Sequence, residues 1–238
     1  MKYLLATSLI VFLTACVGPE KSRYILPEEL ADIPTTGPIA CQFKKQVADS
    51  DNPQNSKWYF WRDAKRTETR DELSNQGEIW ERNNAGQLFY TRLFYNERVA
   101  LDFVPGDLAA TEVAPSWKQL SSLVDPNTLG KELLLLGKEN IGKNIIEYYL
   151  GTLNNIVTEV DWLPSLQLPA RMVKKLPEGT LTLTLSGCSK ETAATVKPIT
   201  KSELDKLRHL DYTDLGDMEN DSMVRHLEQL MGGHHHKH

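Results

Sequence analysis

The chain has 238 residues, 40% hydrophobic and 25% charged, with a formal net charge of -5 at pH 7. That length supports a sizeable core in one large domain, or in one domain with an appendage. No block of lysine or arginine occurs, which excludes nucleic acid as a natural partner, and beyond the first residues no stretch is apolar enough to cross a bilayer.

Lys2 sets a positive charge ahead of an uncharged apolar run from Tyr3 to Leu13. A hydrocarbon core needs about 20 apolar residues, and a secretory signal about 7–15, so residues 1–15 read as a signal peptide. The run ends in Leu13-Thr14-Ala15-Cys16, which resembles the lipobox of bacterial lipoproteins. That resemblance implies cleavage before Cys16, a diacylglycerol on its thiol and acylation of the new amine. Several acyl chains at about 0.8 kcal/mol per buried methylene make a stable anchor. An ordinary secreted protein cut at an A-x-A-like site, or a buried N-terminal helix, is the alternative for these residues. Val17 stands where the family's inner-membrane retention signal carries Asp, so the resemblance points to the outer membrane, facing the periplasm.

With Cys16 assigned to lipid, Cys41 and Cys188 remain, an even pair in an exported chain. In an oxidising compartment they are expected to form a disulfide that ties the start of the folded domain to its last strand. Two free thiols or a shared metal are the other options.

Pro19, Pro27, Pro34 and Pro38 mark residues 16–40 as a lipidated tether without periodicity. A β-rich domain is expected over 41–190. Short aromatic and β-branched runs, separated by Ser74-Asn75-Gln76-Gly77, Asn83-Asn84-Ala85-Gly86 and Asn154-Asn155, predict strands near 57–62, 66–73, 77–82, 87–95, 97–104, 132–139, 144–152, 156–163, 169–176 and 180–187. In the last, Leu181, Leu183 and Leu185 alternate with threonines, as in a strand with one buried and one wet face. Trp117, Leu120 and Leu123-Val124 predict a helix over 114–129. Leucines at helical spacing predict small helices over 200–210 and 223–231, within a helical extension over 191–231. The expected fold is mainly β, an antiparallel meander of about ten strands forming a curved sheet or incomplete barrel. A His-rich tail, 232–238, ends the chain.

The sequence carries little that reads as chemistry. Gly137 to Lys143 has the G-x-x-x-x-G-K spacing of a phosphate loop. However, Asn144 replaces the Ser or Thr that would hold magnesium, and Ile145 to Tyr149 reads as strand where a helix must begin, so no nucleotide is expected. H-E-x-x-H, G-x-S-x-G and C-x-x-C are absent, and His209 and His226 lie in the helical extension. The acidic pairs Glu78/Glu81 and Glu159/Asp161 suit a charged sheet face, and Asp211, Asp214, Asp217 and Asp221 lack EF-hand spacing. No catalytic residue is expected. The strand expected over 66–73 sets Arg66, Glu68, Arg70 and Glu72 on one face and Thr67, Thr69 and Asp71 on the other, so it buries neither face deeply in this reading, suggesting an edge strand or the rim of a partner- or ligand-binding groove.

Aromatic residues exceed what one sheet face needs. Trp58, Phe60, Trp80, Tyr90, Phe94 and Trp162 are candidates to line an apolar cavity between sheet and helix. His234, His235, His236 and His238 are candidate ligands for Zn, Cu or Ni, unless they belong to an expression tag.

The lipobox, the long meander, the inserted helix, and Val157 to Pro164 followed by Leu168 to Met172 together resemble the LolA/LolB-type superfamily over roughly residues 41–188. The resemblance implies an incomplete barrel plugged by helices, and carriage of an acyl chain. The expectation is a noncatalytic, membrane-anchored envelope lipoprotein that binds a lipid or other hydrophobic ligand. The alternatives are a structural or assembly lipoprotein docking an envelope protein partner, and periplasmic metal handling through the tail.

Overall fold

The computed structural model describes residues 30, 33, 37–48, 53–110, 115–218 and 220–231. Residues 1–15, Cys16, most of the tether and the terminal histidines lie outside them.

Among the described residues, twelve strands form one open sheet. Six arise first: β1 (Ile39–Ala48), β2 (Gln54–Arg62), β3 (Arg66–Asp71), β4 (Gln76–Arg82), β5 (Leu88–Phe94) and β6 (Val99–Phe103). Two short helices follow, α1 (Pro105–Ala110) and α2 (Trp117–Ser122). Next come β7 (Leu133–Ile141), β8 (Asn144–Leu153), β9 (Ile156–Leu163), β10 (Leu168–Leu176) and β11 (Gly179–Lys190). The chain closes with α3 (Lys201–Leu204), β12 (Arg208–Asp211), a 3₁₀ segment Tyr212–Met218 and α4 (Ser222–Leu230).

Hairpin chemistry sets the connections. Asn154 and Asn155 both take positive φ, as a two-residue turn between right-twisted strands requires, and Asn75 and Gly142 do so in their own turns. The spatial order is β12-β6-β5-β4-β3-β2-β1-β11-β10-β9-β8-β7. One meander therefore runs outward from β1 to β6, and the other returns from β7 to β11. They meet at the antiparallel β1–β11 pair, where Cys41 and Cys188 are register partners joined by a disulfide.

One sheet face carries two apolar clusters. The first gathers Phe43, Phe60, Leu185, Met172, Val160, Trp162 and Leu133, covered by Leu30, Val124 and Leu166. Arg62 pins this cover, its guanidinium donating to the carbonyls of Ser121 at 2.8 Å and Leu166 at 3.1 Å. The second gathers Phe94, Val99, Leu101 and Phe103 beneath Leu215, Val224 and Leu227 of the C-terminal elements.

Residues 191–207 cross the opposite face as a strap. Ala194 and Val196 pack on Tyr59 and Trp61, while Ile199, Leu204 and Leu207 pack on Ile79, Leu93 and Ala100.

Four local expectations are corrected. The helix expected over 200–210 ends at Leu204, although Thr200 and Glu203 form a full capping box; residues 208–211 instead pair in parallel with the open edge of β6. The helix expected over 114–129 stops at Ser122, because Leu123 turns left-handed at φ 63°. Ile39–Ala48 is a full strand that no expected element covered. The charged run 66–71 lies in the middle of the sheet, with Thr67 and Glu68 buried, because its charges are paired: Arg66 with Glu68, and Asp71 with Lys45.

Candidate functional site

The register across β4, β5 and β6 sets Trp80, Tyr90 and Phe103 side by side, with ring centroids 4.3 and 4.9 Å apart. Tyr212 adds a fourth ring 4.5 Å beyond Phe103. Phe103 is buried, whereas Trp80, Tyr90 and Tyr212 are partly accessible. Such offset rings present broad apolar surface with a polar atom at the tyrosine ends.

The cover over this row is α4. Its N-terminus is capped by Asp221, which accepts from the Met223 N–H at 2.7 Å, and its buried side points Val224 and Leu227 at the sheet. Met218, Met223, Leu230 and Met231 surround them, packed against the cluster but partly buried. Unbranched thioethers adapt their shape to what they contact, so this cover can reshape around a guest more easily than one made of branched residues.

Between the two clusters the same face is polar. Lys45 ion-pairs with Asp71, the Ser56 hydroxyl donates to Asp71 at 3.3 Å, and Arg92 donates to Gln76 at 3.1 Å. Lys45, Asp71, Gln76 and Arg92, with Thr69 and Glu78, line a cavity of about 260 Å³ that reaches Trp58. Burial, reinforced by the neighbouring Glu78 carboxylate, pushes the Tyr90 phenol well above its ordinary range, so Tyr90 stays neutral. The site thus offers an aromatic wall ending in a charged, hydrogen-bonding waist.

The strap on the other face is held by polar anchors. Trp61 Nε1 donates to the Val196 carbonyl at 3.2 Å, Ile199 N–H donates to Glu68 at 2.8 Å, and Arg66 donates to the Ile199 carbonyl at 3.3 Å. Burial raises the Glu68 carboxyl to about 7, against the opposing pull of the Ile199 N–H and Arg66. His209 bonds Asp102 at 2.6 Å and the Leu204 carbonyl at 3.1 Å, and its pKa is raised chiefly by the Asp102 bond. With both ring nitrogens engaged, His209 fastens β12 and is not placed to activate a nucleophile.

The six aromatic side chains expected in one cavity fall into two groups. Phe60 and Trp162 are core residues of the first cluster, with Trp58 packed on it, stacked on Phe60 at 6.2 Å and edge-on to Phe43 at 5.6 Å. Phe94 is core of the second, and Trp80 and Tyr90 flank it. The polar waist divides them. Of the acidic pairs, Glu159 and Asp161 are both ion-paired to Arg171, and Glu78 and Glu81 lie on opposite faces. Gly142 turns the β7–β8 hairpin, and Asn144 opens a strand.

The described residues contain no cluster of three or more metal-ligating side chains. Cys16, His234, His235, His236 and His238 lie outside those residues. Tyr212, the methionines in and around α4 and the Lys45–Asp71 waist were not foreseen. Met223, Leu227, Leu230 and Met231 carried the available signal, an amphipathic stripe at helical spacing.

No protein-family model matches this chain, and no curated protein matches it. Several solved structures are similar. PNGF-II shares 12% identity over 77% of this chain at a TM-score of 0.43, and the chain spans 33% of that protein's length. A DUF1329 family protein from Desulfovibrio piger shares 10% identity over 74% of this chain and 96% of its own, at 0.37. A LolA superfamily protein from Nitrosomonas europaea shares 11% identity over 74% and 93%, at 0.29. These are distant likenesses, and the function proposed below is carried by this chain's own residues.

Proposed function

We propose that this chain is a noncatalytic lipoprotein of the bacterial envelope, anchored through Cys16 at the outer membrane, that binds a lipid or acyl chain between the sheet and its C-terminal cover. The observation that carries this reading is the aromatic row Trp80–Tyr90–Phe103–Tyr212, of which Trp80, Tyr90 and Tyr212 are only partly buried, covered by a methionine-edged helix. An apolar tail laid along the row would bring a polar head to the waist of Lys45, Asp71, Glu78 and Arg92, matching the apolar wall and few polar groups of small-molecule sites.

Native mass spectrometry of the full protein, extracted from membranes in mild detergent, tests the reading. Wild type is expected to carry a copurified lipid, and the Trp80→Ala/Tyr90→Ala variant to lose it while keeping its melting temperature within a few degrees. An empty wild type whose tryptophan fluorescence is unchanged by added dodecanoate would rule the reading out.

A second reading, a structural lipoprotein that docks an envelope partner, is favoured by the leucines exposed on β7. It requires capture of a single envelope protein by cross-linking in cells.

A further inference from the structure

The polar waist lines its cavity with four charged side chains, and only two of them are joined. On the face that carries both clusters, β4 and β5 set three pairs in register: Gln76 with Phe94, Glu78 with Arg92, and Trp80 with Tyr90. Glu78 and Arg92 thus stand directly opposite each other, where unlike charges stabilise a strand pair by meeting. Here they turn apart. The Arg92 guanidinium reaches toward the Gln76–Phe94 pair, donating to Gln76 at 3.1 Å and lying 5.4 Å from the Phe94 ring centre. The Glu78 carboxylate reaches the other way and accepts from the Tyr90 hydroxyl. Among the described residues neither makes an ion pair, whereas Lys45 is joined to Asp71 across the same cavity.

A guanidinium carries five N–H donors, and Gln76 engages one of them; a carboxylate accepts more donors than the single Tyr90 hydroxyl supplies. The cavity therefore presents an anion-binding group beside a cation-binding group. Along their strands these two are the next residues on this face after Trp80 and Tyr90, so they stand where the aromatic row ends. A head group bearing only negative charge would meet Arg92 but set itself against Glu78. A purely cationic head would do the reverse. A head that bears both charges satisfies both residues.

We infer that the waist reads the head group of the bound lipid and selects a zwitterion, Arg92 taking a phosphodiester oxygen and Glu78 an ammonium, as a phosphoethanolamine head provides. The inference rests on the ligand site proposed above and adds which lipids that site takes. Arginine suits this role because its planar fork matches phosphate oxygens in pairs. Glu78 supplies the repulsive element, turning away heads that carry negative charge alone. Lys45 and Asp71, already joined, add no net charge to the choice.

The test is competition on the full-length protein in mild detergent, read by native mass spectrometry. The protein is offered equal amounts of two lysophospholipids with the same myristoyl tail, one with a phosphoethanolamine head and one with a phosphoglycerol head, and both adducts are weighed in one spectrum. In wild type the zwitterionic adduct is expected to exceed the anionic one about tenfold, the low end for a hydrogen bond to a charged group. Glu78→Gln is expected to bring the two adducts to parity, and Arg92→Gln to lose both. Glu81→Gln, on the opposite face, is expected to keep the wild-type ratio. The ratio is internal to each sample, so it does not depend on how much of a variant is folded. Parity in wild type, preference for phosphoglycerol, a ratio that Glu78→Gln leaves unchanged, or adducts that Arg92→Gln leaves intact would overturn the inference; retained binding of dodecanoate would then show that the apolar site itself stands. Binding of glycerophosphoethanolamine, which has the head without the tail, as tightly as the lysophospholipid would also overturn it, the ligand then being a soluble zwitterion. Loss of dodecanoate and of both adducts in wild type would remove the ligand site and the inference together.

Discussion

Two titratable residues hold the strap, and both loosen it as pH rises. Glu68 is 1% exposed, and its carboxyl is raised from about 4.5 to about 7, first by burial. Below about 4.5 the folded and unfolded chains both hold it neutral. Between there and about 7 only the folded chain keeps the proton, and above that window the fold carries a buried charge. Stability is therefore expected to fall by up to roughly 3 kcal/mol across this window, the net of burial against the opposing pull of Arg66 and the Ile199 N–H. Glu68→Gln is expected to match wild type at pH 5 and to exceed it at pH 8 in chemical denaturation; an unchanged pH slope would show that Glu68 does not titrate there. His209 acts higher on the scale. Its pKa is raised above 6.5 by Asp102, so its contribution is complete below 6.5 and is lost as pH climbs through the raised value. Hydrogen exchange at the Leu210 amide, corrected for intrinsic rate, is expected to accelerate across that range in wild type, and His209→Ala is expected to remove the dependence.

At the scale of elements, the β1–β11 pair is the seam between two meanders, and the disulfide crosses it over a sequence separation of 147. In the chain-entropy model a loop of that length is worth about 4–5 kcal/mol. The Cys41→Ala/Cys188→Ala variant is expected to melt roughly 10 °C below wild type by circular dichroism. A drop of only a degree or two would mean that the seam's side-chain packing, not the cross-link, holds the halves together. The β7 edge has its own constraint at Gly151, where an added Cβ would sit 2.2 Å from the Glu132 carbonyl and 3.0 Å from Leu133 Cα. Gly151→Ala therefore displaces the loop that closes the edge at Leu133.

For the whole molecule, the proposed anchor is what is tested. Leu30 and Ile33 pack on the first cluster, and the proposed anchor at Cys16 lies 14 positions before Leu30 in the sequence. Cys16→Ser is expected to take up no radiolabelled palmitate and to fractionate with soluble periplasmic proteins. Its persistence in the membrane fraction would dismiss the lipidated cysteine as the anchor.

What could be read from the sequence was whatever depends on near neighbours. The alternation of Leu181, Leu183 and Leu185 located β11, the pattern over 156–163 located β9 to the residue, and Asn154-Asn155 located their kind of turn, because a two-residue period and a positive φ are properties of a few adjacent residues. The disulfide between Cys41 and Cys188 was expected from cysteine number and an expected oxidising compartment. Strand order was decided only in the folded chain, because it depends on which distant segments bury most together. Arg208–Asp211, with one apolar residue, is a strand because β6 offers an open edge, and Arg66–Asp71 is central because Lys45 and the Ile199 backbone reach its charges. The same long-range register divided six aromatic residues, alike in sequence, between two clusters on either side of a polar waist, and left Trp80 and Tyr90 packed on the cluster that α4 covers.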